Sequence, residues 1–319
     1  MRRHHIIIIG GVVLLLSVAL LSAAAYLLHY ALQPEREAVV DTWARLYREY
    51  PDTRPWHDSL VHCHALRDTT ITAKDGTHLH AFYVRNPRSQ GRTAVLVHGY
   101  TDNAVRMMHL GRMYERELGY NILLPDLRYA GTSGGTHIQM GWLDRLDVQQ
   151  WVALLPRLFP LADTSSGDSL RVVVHGISMG AATTMMLSGE PQPPYVRAFV
   201  EDCGFTSVEA QFEKELGEQF HLPAFPLLPL ASWMCDVRFG WNFTEASALE
   251  AVKRCRRPML FIHGTADDYV PTEMVHPLYA AHPGPKKLWL APEAAHAEAY
   301  HDHPQAYRDT LSCFLNTYL

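Results

Sequence analysis

Two hydrophobic rhythms alternate along most of this chain, and one long stretch has neither. Residues 6–28 contain no charged side chain, and no polar face interrupts the run. As a helix at about 1.5 Å per residue it reaches roughly 35 Å, enough to cross a hydrocarbon core of about 30 Å. Beyond it, from 33 to 68, the chain is mixed and polar, with Trp43, Leu46 and Tyr47 at helical spacing. That pattern predicts a short helix in a linker. The segment TTITAKDGTHLHAFYV then gives two alternating runs around Asp75-Gly76, the signal of a β-hairpin.

From residue 93 onward, apolar β-branched runs alternate with helical patterns. TAVLVHG, YNILLPD, SLRVVVHG, VRAFVED, PMLFIHG and KKLWLAP read as strands. Between them NAVRMMHLGRMYEREL, with Asp102 as its expected N-cap, WLDRLDVQQWVALLPRL, MGAATTMMLSG and PTEMVHPLYAAH read as helices, and a last helix lies around QAYRDTLSCFLNTYL. Continuous apolar strands separated by helices predict an α/β fold with a mostly parallel sheet covered on both faces. Residues 206–246 break the rhythm: a charged helix leads into HLPAFPLLPLASWM, where Pro223, Pro226 and Pro229 argue against a regular helix or a central strand. The segment reads as a cap insertion at the sheet's edge, packing on the domain or offering an acyl-binding surface. The expected organisation is an N-terminal anchor (1–32), a linker with a short helix (33–68) and one α/β domain (69–319).

Composition narrows the class. The net charge of −5 comes without a long basic run, which argues against a nucleic-acid partner. Arg2 and Arg3 ahead of the apolar run favour a cytoplasmic N-terminus, a single-pass membrane protein and an extracytoplasmic domain. The rival is a signal peptide cleaved near Ala23-Ala24-Ala25, for which the apolar run is long. Five cysteines lack CxxC spacing, so no zinc ribbon or redox motif is indicated, and an oxidising compartment would permit one or two disulfides.

The candidate chemistry begins at Gly176-Ile177-Ser178-Met179-Gly180, a G-x-S-x-G turn between a strand and a helix. Such a turn is so tight that side chains at 176 and 180 would clash. Its strain presents the serine Oγ at the strand's C-terminal end. A serine hydroxyl needs a base. FIHGTADDYVP offers Asp267 and Asp268 after one later strand, and WLAPEAAHAEAY offers His296 after the next. Ser…Asp…His is the chain order expected when three loops meet at one edge of such a sheet.

From about Thr69 to the C-terminus the chain resembles an α/β-hydrolase, of the serine-hydrolase group with an N-terminal membrane anchor. VLVHGYTDN resembles the family's HG loop, PDLRYAGTSGG its PDxRGxGxS segment, HGISMG its elbow, IHGTADDYVP its HGxxDxxVP and AAHAEAY its histidine turn. The resemblance implies Ser178 as nucleophile, His296 as base and Asp267 as acid. It also implies that the backbone N–H groups of Tyr100 and Met179 form the oxyanion hole. It implies hydrolysis of an ester, thioester or amide of a small-molecule, acyl or peptide substrate, with no metal or organic cofactor. Tyr129-Ala130 departs from the usual Gly-His, and Ala295 from a glycine. His98 reads as structural, Asp126 as the organiser of the loop to Gly135, and His175 and His263 likewise as strand-end residues. The remaining histidines, among them His62 and His64, His78 and His80, and His301 and His303, match no metal-ligand spacing. A non-catalytic binding protein on the same fold and a metal-dependent hydrolase are the competing classes.

Overall fold

A computed structural model describes residues 2–161 and 169–319 of the 319. The side chains of Arg2 and Arg3, on which the expected orientation rests, lie outside the described residues. The uninterrupted apolar run becomes α1 (Arg2–Leu32). It is the one described helix long and apolar enough to cross a membrane, as a span or as a signal sequence, and its most apolar stretch is not buried in protein. The chain forms two compact units, residues 35–206 with 247–319, and residues 1–34 with 207–246.

The larger unit opens with α2 (Val39–Glu49) and α3 (Thr53–His62). These correct the expectation of a linker over 33–68. Leu46, Trp56 and Leu60 belong to the same buried core as the strands, and the Trp56 indole donates to Glu115 at 2.9 Å. The predicted hairpin is β1 (Leu66–Thr72) and β2 (His78–Val84), paired antiparallel. Gly76 at its turn has φ +87°, where a side chain would be strained.

The βα alternation then runs as read. β3 (Arg92–Val97) leads to a helical run whose pitch changes, a 3₁₀ turn at Ala104–Met107, α4 (Met108–Arg112) and a π turn at Met113–Glu117. Its cap is Asn103, whose side chain accepts from the Val105 N–H, and not Asp102. Asp102 is instead held by Arg45 at 2.8 Å. After β4 (Asn121–Pro125) come α5 (Asp144–Leu158), β5 (Arg171–Ile177), α6 (Met179–Ser188) and β6 (Val196–Asp202). The smaller unit's α7 (Val208–Phe220) and α8 (Ala224–Phe239) intervene. The larger unit resumes with α9 (Ala248–Val252), β7 (Met259–Gly264), α10 (Val275–Ala281), β8 (Lys286–Ala291), α11 (Ala299–Asp302) and α12 (Pro304–Tyr318). The strands form one sheet in the order β1-β2-β4-β3-β5-β6-β7-β8. β1–β2 and β2–β4 are antiparallel, and every other pair is parallel.

The central strands β3, β4, β5 and β7 are buried along almost their whole length, as a sheet covered on both faces requires. Register places their functional ends together: Ile177 pairs with Asp202, Asp202 with Ile262, and Gly264 with Ala291. The loops leaving β5, β6, β7 and β8 therefore emerge side by side.

In the smaller unit, the proline-rich stretch corrects a second expectation. α8 is a helix despite Pro226 and Pro229, because Phe225 is extended (φ −86°, ψ 133°) and the helical run starts at Pro226. The first helical residue has no intrahelical partner for its N–H, so Pro226 loses nothing, and Pro229 removes only the first bond of the ladder. The insertion is closed at its base by Val208 N–H donating to Ala246 O at 3.0 Å. Ser207 caps α7 through Ala210 N–H, and Phe212 packs edge-on to Phe243. All five cysteines are free thiols.

Candidate active site

The turn after β5 is dictated by contact distances. A Cβ on Gly176 would lie 2.0 Å from Gly180 O, and one on Gly180 would lie 2.0 Å from Val97 O. Both neighbours are backbone, so nothing can yield. Between the two glycines Ser178 adopts φ 56°, ψ −120°, outside the regions a residue with a Cβ prefers. The conformation is held from both sides: Ser178 N–H donates to Asp202 O at 2.8 Å, and Ser178 O accepts from Ala182 N–H at 3.0 Å.

Ser178 Oγ lies 2.8 Å from His296 Nε2, and His296 Nδ1 lies 2.8 Å from Asp267 Oδ2. The structure thus brings together Ser178, Asp267 and His296, from the loops after β5, β7 and β8. Two of those loops are laced to each other: Ala266 N–H donates to Ala294 O, Thr265 N–H to Ala291 O, and Glu293 N–H to the Thr265 hydroxyl. Tyr269 packs on the His296 ring with centroids 4.9 Å apart. Asp268, the neighbouring candidate acid, is exposed.

Asp267 is fully wrapped. Oδ1 accepts from Tyr269 N–H at 3.1 Å and Val270 N–H at 2.9 Å. Oδ2 receives His296 and, at 3.3 Å, His263 Nε2. Burial alone would raise the Asp267 carboxyl, but the hydrogen bonds from His263 and His296 outweigh it and pull it down to about 2. It is a fixed anion at neutral pH. The same Nε2–H lies closer to Val270 O, at 2.8 Å, so His263 shares one donor between that carbonyl and the carboxylate, which fixes its ring. Burial would lower its pKa, yet the Asp267 hydrogen bond and the Glu201 charge prevail and raise it.

A second polar chain runs beneath the site. Tyr307 OH donates to Asp202 Oδ2 at 2.8 Å, so its oxygen accepts from His175 Nε2–H at 3.0 Å. His175 Nδ1 must then accept from Tyr114 OH at 3.0 Å. Burial drives His175 down to about 3 and Asp202 up to about 6. His98 is likewise committed: its Nε2 accepts from Leu127 N–H, leaving Nδ1 to donate to Gly99 O. Gly99 lies against the elbow, since a Cβ there would sit 3.5 Å from Ser178 Cβ. Tyr100 follows Gly99 in the chain, and Met179 opens α6 directly after the serine.

Asp126 gathers the loop after β4. Its carboxylate accepts from Ala104 N–H at 2.7 Å, Thr132 N–H at 3.1 Å and His80 Nδ1 at 2.8 Å. Tyr129, the departure noted above, has φ 61° and lies under the Arg36 guanidinium, 5.3 Å from its ring centroid. Sequence reasoning missed His263 as a second imidazole on Asp267, although the two stand four residues apart within HGTAD. It also missed the Asp202–Tyr307–His175–Tyr114 chain, whose members are too scattered along the sequence to suggest one another.

A serine poised on a strand-to-helix elbow of a mostly parallel eight-stranded sheet, with a histidine and a carboxylate from later strand ends, defines the α/β-hydrolase class. Residues 94–310 match the Alpha/beta hydrolase family, and the chain belongs to it. It is 30% identical over 230 residues to the uncharacterized protein YqkD of Bacillus subtilis, covering 72% of this chain and 73% of that one. The alpha/beta hydrolase domain-containing protein WAV2 of Arabidopsis thaliana is 26% identical over 301 residues, 89% of this chain and 88% of its own. The esterase Pf2001 of Pyrococcus furiosus shares the fold with a TM-score of 0.63 at 24% identity, over 79% of this chain and 91% of that structure.

Proposed function

We propose that this protein is a membrane-anchored serine hydrolase that cleaves an ester, thioester or amide through an acyl-enzyme. The observation that carries the reading is the unbroken line Ser178 Oγ–His296 Nε2, 2.8 Å, and His296 Nδ1–Asp267 Oδ2, 2.8 Å. Ser178 Oγ attacks the substrate carbonyl while its proton passes to His296 Nε2. Asp267, held ionised, keeps the imidazole in the tautomer with a bare Nε2 and stabilises the imidazolium that forms. The negative charge on the carbonyl oxygen falls to the backbone N–H groups of Tyr100 and Met179, where one lost donor typically costs about 10²–10³ in rate. His296 then returns its proton to the leaving alcohol, thiol or amine. Water repeats the sequence on the acyl-serine, releasing the acid and restoring the hydroxyl.

The esterase Pf2001 among the similar folds favours esters as the first substrates to try. A non-catalytic binder is disfavoured, since none of the three side chains is missing or turned away. We read the long apolar α1, unburied along its most apolar stretch, as a retained single-pass anchor, and Arg2 and Arg3 ahead of it as favouring an extracytoplasmic hydrolase unit. A fluorophosphonate probe should label Ser178 in the folded protein, and Ser178→Ala should abolish labelling. A panel of p-nitrophenyl esters of rising chain length, beside aminopeptidase substrates, reads out the acyl preference. Folded protein that neither reacts with the probe nor turns over any ester or amide would overturn the proposal.

A further inference from the structure

The smaller unit carries an apolar face that its own packing does not use. Along α8, Leu227, Leu228, Ala231 and Cys235 are buried. On the opposite side Phe225 is 77% exposed, Trp233 56% and Val237 70%, and Leu222, just before the helix, is exposed too. Trp233 and Val237, four residues apart, share one face of the helix as a short apolar stripe, and the exposed Leu222 and Phe225 stand just ahead of its first turn. No charged side chain occurs from Leu222 to Cys235, and the exposed Asp236 and Arg238 flank Val237 at the far end, where their charges can stay in the headgroup layer. In water such a stripe is a liability; beside a lipid surface it is a contact.

The length of α1 says which. α1 lies against α8, and its buried positions Ala24, Leu28 and Leu32 recur every four residues. The part exposed on all sides ends at Ser22. From Ile6 to Ser22 is roughly 17 residues, or about 25 Å, short of the roughly 30 Å of hydrocarbon. Spanning the core takes about 20 residues and so reaches to about Ala25, into the turns that pack on α8. An anchored α1 therefore brings α8 to the membrane boundary. The aromatic side chains agree. Tyr26 is 60% exposed, Tyr30 packs edge-on to Phe220 of α7 with its hydroxyl toward Gln219, and Trp233 lies on the stripe. Tyr and Trp are the residues that settle at the level of lipid headgroups.

We infer that the exposed face of α8, with Phe225, Trp233 and Val237, inserts into the lipid interface beside the anchor. The inference rests on the anchored reading of α1. Its occupant is a bilayer surface, held by apolar burial about 5–10 Å deep and not by charge.

The test uses the full chain in phosphatidylcholine vesicles. Cys63 and Cys313, the exposed thiols, are replaced by serine. Single cysteines are then introduced as Trp233→Cys, Val237→Cys and, as a control on the exposed polar side of α7, Glu213→Cys. Each carries an environment-sensitive fluorophore, and thermal melting must match the unlabelled chain. Probes at 233 and 237 should be quenched by nitroxide-bearing lipid and shielded from iodide, with the control reversed. Iodide quenching at 233 and 237, in chains that stay with the vesicles through a high-pH wash, would overturn the inference while leaving the anchor intact. Cross-linking of 237 between chains, without lipid quenching, would give the face to a second copy and overturn it too. Release of the chain by the wash would sink the anchor and, with it, this inference.

Discussion

Replacing Asp267 with asparagine changes one oxygen to an NH₂ with almost no change in volume. Its consequence can be worked out from the contacts. Oδ1 accepts two backbone N–H groups, from Tyr269 and Val270, and only an oxygen can do that. The asparagine oxygen must therefore occupy that position. The NH₂ then takes the place of Oδ2, 2.8 Å from His296 Nδ1. A donor there makes Nδ1 an acceptor and moves the ring proton to Nε2. Nε2 can no longer take the Ser178 proton. In a Ser-His-Asp site this tautomer error lowers kcat about 10⁴-fold, equivalent to about 5.5 kcal/mol. The substrate does not touch residue 267, so KM should hold. The assay is steady-state hydrolysis of the best p-nitrophenyl ester, with the rate of fluorophosphonate labelling falling in parallel. Asp268→Asn, on an exposed side chain, should stay within about twofold of wild type. Asp267→Asn retaining a tenth of wild-type turnover, or Asp268→Asn losing as much, would refute the assignment of the acid.

Three further outcomes follow from other contacts. His263→Phe removes one of the two imidazoles that Asp267 accepts and should lower kcat about tenfold at constant KM, the scale of one hydrogen bond to a charged group; unchanged kcat in a folded variant would make His263 merely structural. Gly180→Ala drives a methyl against Val97 O and should lower stability by about 1–3 kcal/mol or more, read as a drop in the urea midpoint; a wild-type midpoint would show that the elbow can relax. Tyr307→Phe takes the hydroxyl from Asp202. Burial raises the Asp202 carboxyl from its usual range to about 6, so the folded state holds the extra proton between the two values, and stability contributed by this group falls as pH rises through that window. Without the Tyr307 donor the ionised form is worse solvated, and the variant's deficit in urea unfolding should be larger at pH 8 than at pH 5; equal deficits would mean that Asp202 is not the group affected.

Most of the fold was legible as a pattern, because a buried parallel strand needs apolar side chains on both faces and a helix over a sheet needs a 3.6-residue stripe. VVVHGISMG could be read as strand, elbow and helix since each residue there answers a local constraint. The core role of α2 and α3 was not legible. Their stripes are short, and what Trp56 or Leu46 packs against is decided by strands far along the chain. The proline-rich segment misled for a local reason: whether a proline breaks a helix depends on where the helix begins, and Phe225 sets that start through its extended backbone.

By itself, then, the chain determined which residue types stand at the ends of which strands: the strained serine, the aspartate and the histidine in order, and an apolar run long enough for a membrane. Distance was left to tertiary structure. Only strand register sets 2.8 Å between atoms that lie 118 positions apart, and only the packed interior decides that Asp267 serves two imidazoles and that Asp202 is held by a tyrosine. The reason is physical. Periodicity reports which face of an element is wetted, whereas a proton's path and a carboxyl's charge depend on dielectric and partner geometry, which exist once the chain has closed around them.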